Sequence, residues 1–344
     1  MNVSLKKLSE QVVVITGVTS GIGLCTARLA AARGAKLVLA ARGEDGLRRL
    51  VEEIERRGGQ AIHVVADVGV EADVRRIGQA AIDRFGGFDT WINNAGISLV
   101  GDLTLMPVED MRRLFDTNFW GVVHGSLVAA EHLRRRGGAL INVGSELSDM
   151  AAPLQALYSA SKHAVKGFTD SFRLELQKAG APVSVTLIKP AGIDTMFAAH
   201  AKNFMDVEPS LPPPVYAPEV VADAILHAAE HPVRDMYAGG ASKLFSLGAR
   251  LMPGVSDMIS RAVMFDLQRS DRPAGPREDN ALNRPGRPMQ ERQGVYPMVF
   301  EHSWYTQASK LPAAVTGLVA LGVGLAAMAV IGRRPGLPPQ RPVR

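Results

Sequence analysis

The stretch QVVVITGVTSGIG, Gln11 to Gly23, runs five apolar or β-branched residues into a turn carrying Gly17, Gly21 and Gly23. A buried strand that opens into a glycine-rich turn and then a helix lets backbone N–H groups approach an anion without interference from Cβ atoms. The helix N-terminus adds partial positive charge to the same place. Ser20 stands where a helix N-cap is expected, and Thr16 closes the strand. The spacing G-x-x-x-G-x-G departs from the usual dinucleotide fingerprint, so the turn alone is weak evidence; its position between strand and helix strengthens it.

Outward from this unit, short β-branched runs alternate with amphipathic stretches. KLVLA (Lys36 to Ala40), AIHVVA (Ala61 to Ala66), DTWIN (Asp89 to Asn93), ALINV (Ala139 to Val143) and VSVTLI (Val183 to Ile188) read as buried strands. EDGLRRLVEEIERRG puts Leu47, Leu50, Val51 and Ile54 on one helical face. Such alternation implies right-handed βαβ crossovers and a Rossmann-like, doubly wound parallel sheet in three layers, α/β/α. The division expected is a catalytic domain over 1–240, a helical extension over 241–268, a Pro/Arg-rich flexible linker over 269–302, and a C-terminal anchor with basic tail over 303–344.

Composition narrows the classes. Of 344 residues, 47% are hydrophobic and 21% charged, enough for a sizeable core. One cysteine, Cys25, excludes an intramolecular disulfide and a Cys-based zinc site, and no metal is expected. The net charge of +5 owes four charges to Arg333, Arg334, Arg341 and Arg344. Without a basic stripe elsewhere, nucleic acid is a poor partner. The N-terminal residues carry no secretory apolar run.

In LYSASKHAV, Tyr158 stands four residues before Lys162, so the two share one helical face. A phenol is too basic to exchange a proton easily near neutral pH, and an adjacent ammonium lowers its pKa. Ser145 ends the preceding strand and offers a hydroxyl to polarise a carbonyl. His163 points elsewhere around the helix and reads as surface.

With TGxxxGIG met by Thr16, Gly17, Gly21, Ile22 and Gly23, and with NNAG at 93–96, Asn118 in DTNFWG, Ser145 and YSASK, the chain resembles the short-chain dehydrogenase/reductase family over about 230 residues. The resemblance implies a catalytic set of Asn118, Ser145, Tyr158 and Lys162, with Lys162 also holding the nicotinamide ribose and Asn118 supporting a proton relay. It implies cofactor contacts at Gly17, Thr19, Ser20, Gly21, Ile22, Gly23, Asp67, Val68, Asn94, Ala95, Gly96, Pro190, Ile193 and Thr195. The second strand ends in Ala41 and Arg42 rather than a carboxylate, so NADP(H) is expected over NAD(H), with Arg42 on the 2′-phosphate. One departure is PAGIDT, with Ala191 where relatives carry glycine.

The reaction expected is hydride transfer between nicotinamide and a hydrophobic carbonyl or secondary alcohol, by a dimer or tetramer as in relatives. The alternative is a non-catalytic NADP-binding scaffold or sensor. Met196, Phe197, Phe204 and Met205 read equally well as an apolar substrate lid or as packing on the domain. LPAAVTGLVALGVGLAAMAVIG, 311–332, holds 22 residues without a charge, roughly 33 Å of helix. Trp304 and Tyr305 precede it and arginines follow. It is expected to anchor the protein to membrane lipid, with the catalytic domain facing the cytoplasm.

Overall fold

The computed structural model describes residues 3–311. Seven parallel strands form the central sheet: β1 (Val12–Thr16), β2 (Lys36–Ala41), β3 (Gln60–Val65), β4 (Thr90–Asn93), β5 (Gly138–Val143), β6 (Val183–Pro190) and β7 (Asp235–Ala238). Their order across the sheet is β7-β6-β5-β4-β1-β2-β3. The order reverses between β1 and β4, and the crevice at the strands' carboxyl ends beside that reversal is where doubly wound sheets take ligands. β1 is buried at every position and sits in the middle, as its unbroken β-branched sequence requires.

Helices α1 (Gly21–Ala32), α2 (Glu44–Arg56), α3 (Glu71–Phe85), α4 (Val108–Phe115), α5 (Gly121–Arg136), α6 (Ala156–Lys178) and α7 (Pro218–Glu230) cover both faces. One apolar cluster joins β1 and β2 to α1, α2 and α7 through Ile15, Leu24, Leu37, Leu50 and Ile225. A second joins the opposite face through Val14, Val74, Trp91, Ala129 and Phe172. The face predicted for α2 is the one it buries: Leu47, Leu50 and Ile54 are sealed, with Val51 packed at their edge.

Three expectations need correction. The sheet has a seventh strand that the sequence reading did not include: DMYA in β7 is only four residues long and alternates partly and fully buried positions, so it lacks an apolar run. Ser20 occupies the N-cap position of α1, but its side chain makes no capping hydrogen bond. The Gly21 N–H instead donates to the carbonyl of Gln290, 2.9 Å away, from the far end of the chain.

That contact belongs to the third correction. Residues 269–302 are not a free linker: they lie within the compact unit that ends at Thr306. The prolines and charges argued against a packed core, and the segment builds none. It is held by its backbone groups, by the buried side chains of Ala281 and Leu282, and by the ion pairs of Glu291 with Arg28 and of Arg292 with Glu219. Helices α8 (Gly240–Leu251) and α9 (Pro253–Ile259) form the expected extension. The apolar run 311–332 lies almost wholly outside the described residues, and no described helix is long and apolar enough to cross a membrane.

Candidate active site

The glycine turn is built by exclusion. Gly17 has φ +72°, and a Cβ there would fall 2.7 Å from the Ala95 Cα. At Gly23 it would fall 2.1 Å from the Gly17 carbonyl oxygen, so α1 can approach β1 only because that position is bare. The Asn94 side chain ties the turn from across the cleft, donating to the Thr16 carbonyl at 2.9 Å and the Gly17 carbonyl at 3.1 Å. Gly17→Ala is therefore expected to cost roughly 1–3 kcal/mol of stability, read as a fall in Tm, together with weakened dinucleotide binding.

Beside this turn lies a cavity of about 620 Å³. Every residue expected to bind cofactor lines it, from Gly17, Thr19, Ser20, Gly21, Ile22 and Gly23 through Arg42, Asp67, Val68, Asn94, Ala95 and Gly96 to Pro190, Ile193 and Thr195. So do Ser145, Tyr158 and Lys162. Asn118 sits behind the wall, fully buried in a wide helical turn, Asp116–Trp120. Its amide clamps Ile97, accepting from the N–H and donating to the carbonyl at 2.9 Å each, and donates to the Ser161 hydroxyl at 3.2 Å. One-turn widenings of this kind recur at functional sites.

Ser145 caps a short turn, Glu146–Ser148; its hydroxyl accepts from the Leu147 N–H at 3.1 Å, and its N–H donates to Ser148 Oγ at 3.1 Å. Tyr158 and Lys162 leave α6 on the same side, with Lys162 Nζ 5.6 Å from the phenol ring centroid. Burial pushes the Tyr158 phenol up, a hydrogen bond with Ser145 pulls it back, and the Glu146 carboxylate pushes it further up. Burial also lowers the Lys162 ammonium to about 8, while Nζ donates to the Val143 carbonyl at 2.9 Å. What opposes burial at the phenol in this geometry is Ser145, a partner that spacing along α6 does not reveal.

At the Arg42 end of the cavity, Asp67 is paired with the Arg113 guanidinium and accepts from the Gly69 N–H at 2.9 Å. Arg42 gives three of its five donors to the far segment, to the carbonyls of Ala281, Leu282 and Arg284. Ala281, Pro285 and Gly286 thereby become part of the cavity wall, which the sequence reading missed. Nothing in their local sequence marks them, since the contacts run through main-chain groups. His200 is also in the wall; burial first, then Arg287, lowers it to about 4, and its Nε2 accepts from the Arg287 N–H at 3.0 Å.

The open question at Ala191 resolves simply. The residue has no positive φ, and its N–H donates to the Ala238 carbonyl at 3.0 Å, so glycine is not required there. The apolar lid divides: Met196 and Phe197 line the cavity, Phe197 lying 5.2 Å from Tyr158 between ring centroids. Phe204 packs into the neighbouring core cluster with Leu99 and Leu114 instead. Exposed His163 bonds back to its own helix.

Cys25, Glu219 and Glu291 converge on the far side of α1. Glu291 is paired with Arg28 and Glu219 with Arg292, each at 2.8 Å, and burial pushes the Cys25 thiol up, so the carboxylates already have their counter-charges.

The bare glycine turn suits a dinucleotide. Thr117 also stands in the cavity wall, but its hydroxyl is sealed within the protein and has no hydrogen-bond partner among the described residues. A seven-stranded doubly wound sheet with such a site at its switch point defines a nicotinamide-dependent oxidoreductase. The short chain dehydrogenase family description matches residues 11–205. The chain is 49% identical over 323 residues to the uncharacterized oxidoreductase YxnA of Bacillus subtilis, spanning 92% of this chain and 91% of that protein. The fold is similar to that of a short chain dehydrogenase/reductase from Burkholderia phymatum in complex with NAD, at TM-score 0.63 and 26% identity, covering 80% of this chain and all of that one. A short-chain type dehydrogenase/reductase from Mycobacterium marinum gives TM-score 0.59 at 28% identity, covering 67% of this chain and 94% of that one. The chain belongs to the short-chain dehydrogenase/reductase family and is an NAD(P)-dependent oxidoreductase.

Proposed function

We propose that the protein interconverts an apolar carbonyl compound and its secondary alcohol, with NADP(H) as the preferred cofactor and Tyr158 as the acid/base. The observation that carries this reading is that Tyr158, Ser145 and Lys162 line one cavity together with the glycine turn. The nicotinamide, when bound, supplies or takes the hydride at carbon. Ser145 donates to the carbonyl oxygen, and Tyr158 gives that oxygen its proton as negative charge develops there. Lys162, buried beside the phenol, favours its ionised form and holds the ribose, and Asn118 fixes the backbone at Ile97 behind both. Met196, Phe197 and Met150, with Met252, Val255 and Val263 from the extension, give the substrate end apolar walls that favour a hydrophobic substrate. Turnover of a panel of apolar ketones and aldehydes with NADPH tests this; a protein that binds NADPH and reduces none of them is the scaffold instead.

The cofactor preference rests on Arg42, whose two remaining donors are free for a 2′-phosphate. Arg42→Ala is expected to weaken NADPH at least about tenfold more than NADH, the loss of a charge-assisted pair. Titration of both cofactors reads it, and equal losses would make Arg42 an anchor of the far segment only. A dimer or tetramer is the assembly that relatives favour, and light scattering on the purified chain measures it. The membrane anchor rests on the sequence of 311–332 alone; full-length protein recovered without detergent in the soluble fraction counts against it.

A further inference from the structure

Directly after Ser145, Glu146 stands in the wall of the same cavity, half-buried. Its main chain is fixed: it opens the short turn that Ser145 caps, and its carbonyl accepts from the Asp149 N–H at 3.1 Å. Its carboxylate, by contrast, has neither a hydrogen bond nor an ion pair with any described residue, yet its oxygens are not sealed inside protein. They are open to the cavity. The Gln155 amide, in the same cavity wall, is already spent, donating to Gln268 Oε1 at 2.6 Å. The wall also carries the apolar side chains of Met150, Ala152, Met264 and Leu267, none of which can serve a carboxyl.

A carboxyl held in an apolar wall without a partner is destabilising, and a donor or acceptor supplied by a ligand recovers that cost on binding. Burial alone raises Glu146 to about 7, so near neutral pH it exists in both forms. An ammonium would be matched by the ionised form only. A hydroxyl suits both, donating to the carboxylate and accepting from the carboxylic acid.

We propose that Glu146 is a specificity-determining residue that binds a hydroxyl on the substrate, so that the preferred substrate is an apolar ketone bearing a hydroxyl away from the reacting carbonyl. This rests on the carbonyl-reductase reading above and narrows its substrate class. A site that hydrogen-bonds a substrate hydroxyl discriminates strongly against the analogue lacking it.

The test uses the full chain with NADPH, comparing cyclohexanone with its 3-hydroxy and 4-hydroxy derivatives in the wild type, Glu146→Gln and Glu146→Leu. At least one hydroxyketone is expected to exceed cyclohexanone in kcat/KM by about tenfold to a hundredfold in the wild type, mainly through KM. That ratio should fall to about one in Glu146→Leu and recover in part in Glu146→Gln, whose amide still bonds a hydroxyl. Equal use of all three ketones by the wild type overturns the inference and leaves the reductase reading standing. So does a preference that persists in Glu146→Leu. Failure of the wild type to reduce any of the three removes both. Tm and NADPH affinity of each variant separate a lost contact from a lost fold, and Glu146→Gln, nearly isosteric, keeps the comparison decisive if the leucine variant folds poorly.

Discussion

Tyr158→Phe should lower kcat by roughly 10²- to 10⁴-fold, the usual worth of a positioned acid/base, while leaving NADPH affinity nearly as it was. The substitution removes one oxygen and little else. The ring keeps its place against Phe197, 5.2 Å away, and stays within the cluster of Ile97, Leu147 and Met106. What is lost is the hydroxyl, lining the cavity with Ser145, that can hand a proton to an alkoxide. Steady-state kinetics alongside cofactor titration checks both halves; a phenylalanine variant with undiminished turnover would remove Tyr158 from the chemistry. The neighbouring charge adds a pH signature. Burial pushes the phenol up first, and an anion at Glu146, which disfavours a second anion on the phenol, pushes it further. Glu146→Gln removes that repulsion, so the rise of alcohol oxidation with pH should shift to lower pH. A shift in the opposite direction would contradict the sign of the coupling.

Tyr158 and Lys162 were legible because helical period fixes which side chains share a face, and the glycine turn because strand, turn and helix follow one another without a gap. What those signals carry is local. Hence β7, four residues with Asp235 and Tyr237 among them, gave no apolar run to detect, although it hydrogen-bonds to β6 along its length. Ser20 has a capping residue's chemistry but not its hydrogen bond, and the adjacent Gly21 N–H donates to Gln290. Glu146 reads as an ordinary polar residue after a strand until it is seen to stand in the cavity wall without a partner among the described residues. The largest gap, 269–302, has a physical cause: periodicity reports buried side chains, and this segment attaches through carbonyl oxygens and N–H groups, which every sequence possesses, and through charged side chains such as Glu291 and Arg292, which read as surface charge.

That attachment makes the second large effect predictable. The segment from Ala281 to Gly294 is pinned at three places along the cleft. Leu282, 1% exposed, inserts into the cluster around Leu99 and Leu114 while Arg42 binds the carbonyls on either side. The Met289 N–H donates to the Thr19 carbonyl at 2.7 Å, and those of Gln293 and Gly294 donate to Asp194 Oδ1 at 3.1 and 3.0 Å. Because Ala281, Pro285 and Gly286 line the cavity that the glycine turn also lines, release of a dinucleotide bound there is expected to be coupled to lifting of the segment. Leu282→Ala removes the largest apolar anchor, a change that costs about 2–5 kcal/mol at a fully buried site. The cost falls on the closed position of the segment, since the sheet and its two principal clusters do not include this side chain. NADPH dissociation, followed by stopped-flow displacement, should therefore quicken by roughly tenfold or more, each 1.4 kcal/mol being worth a factor of ten. The main unfolding transition should move little, and limited proteolysis between 276 and 290 should become easier. Faster proteolysis with unchanged cofactor release would show that the segment can open without freeing the nucleotide, and that the cleft has a second exit.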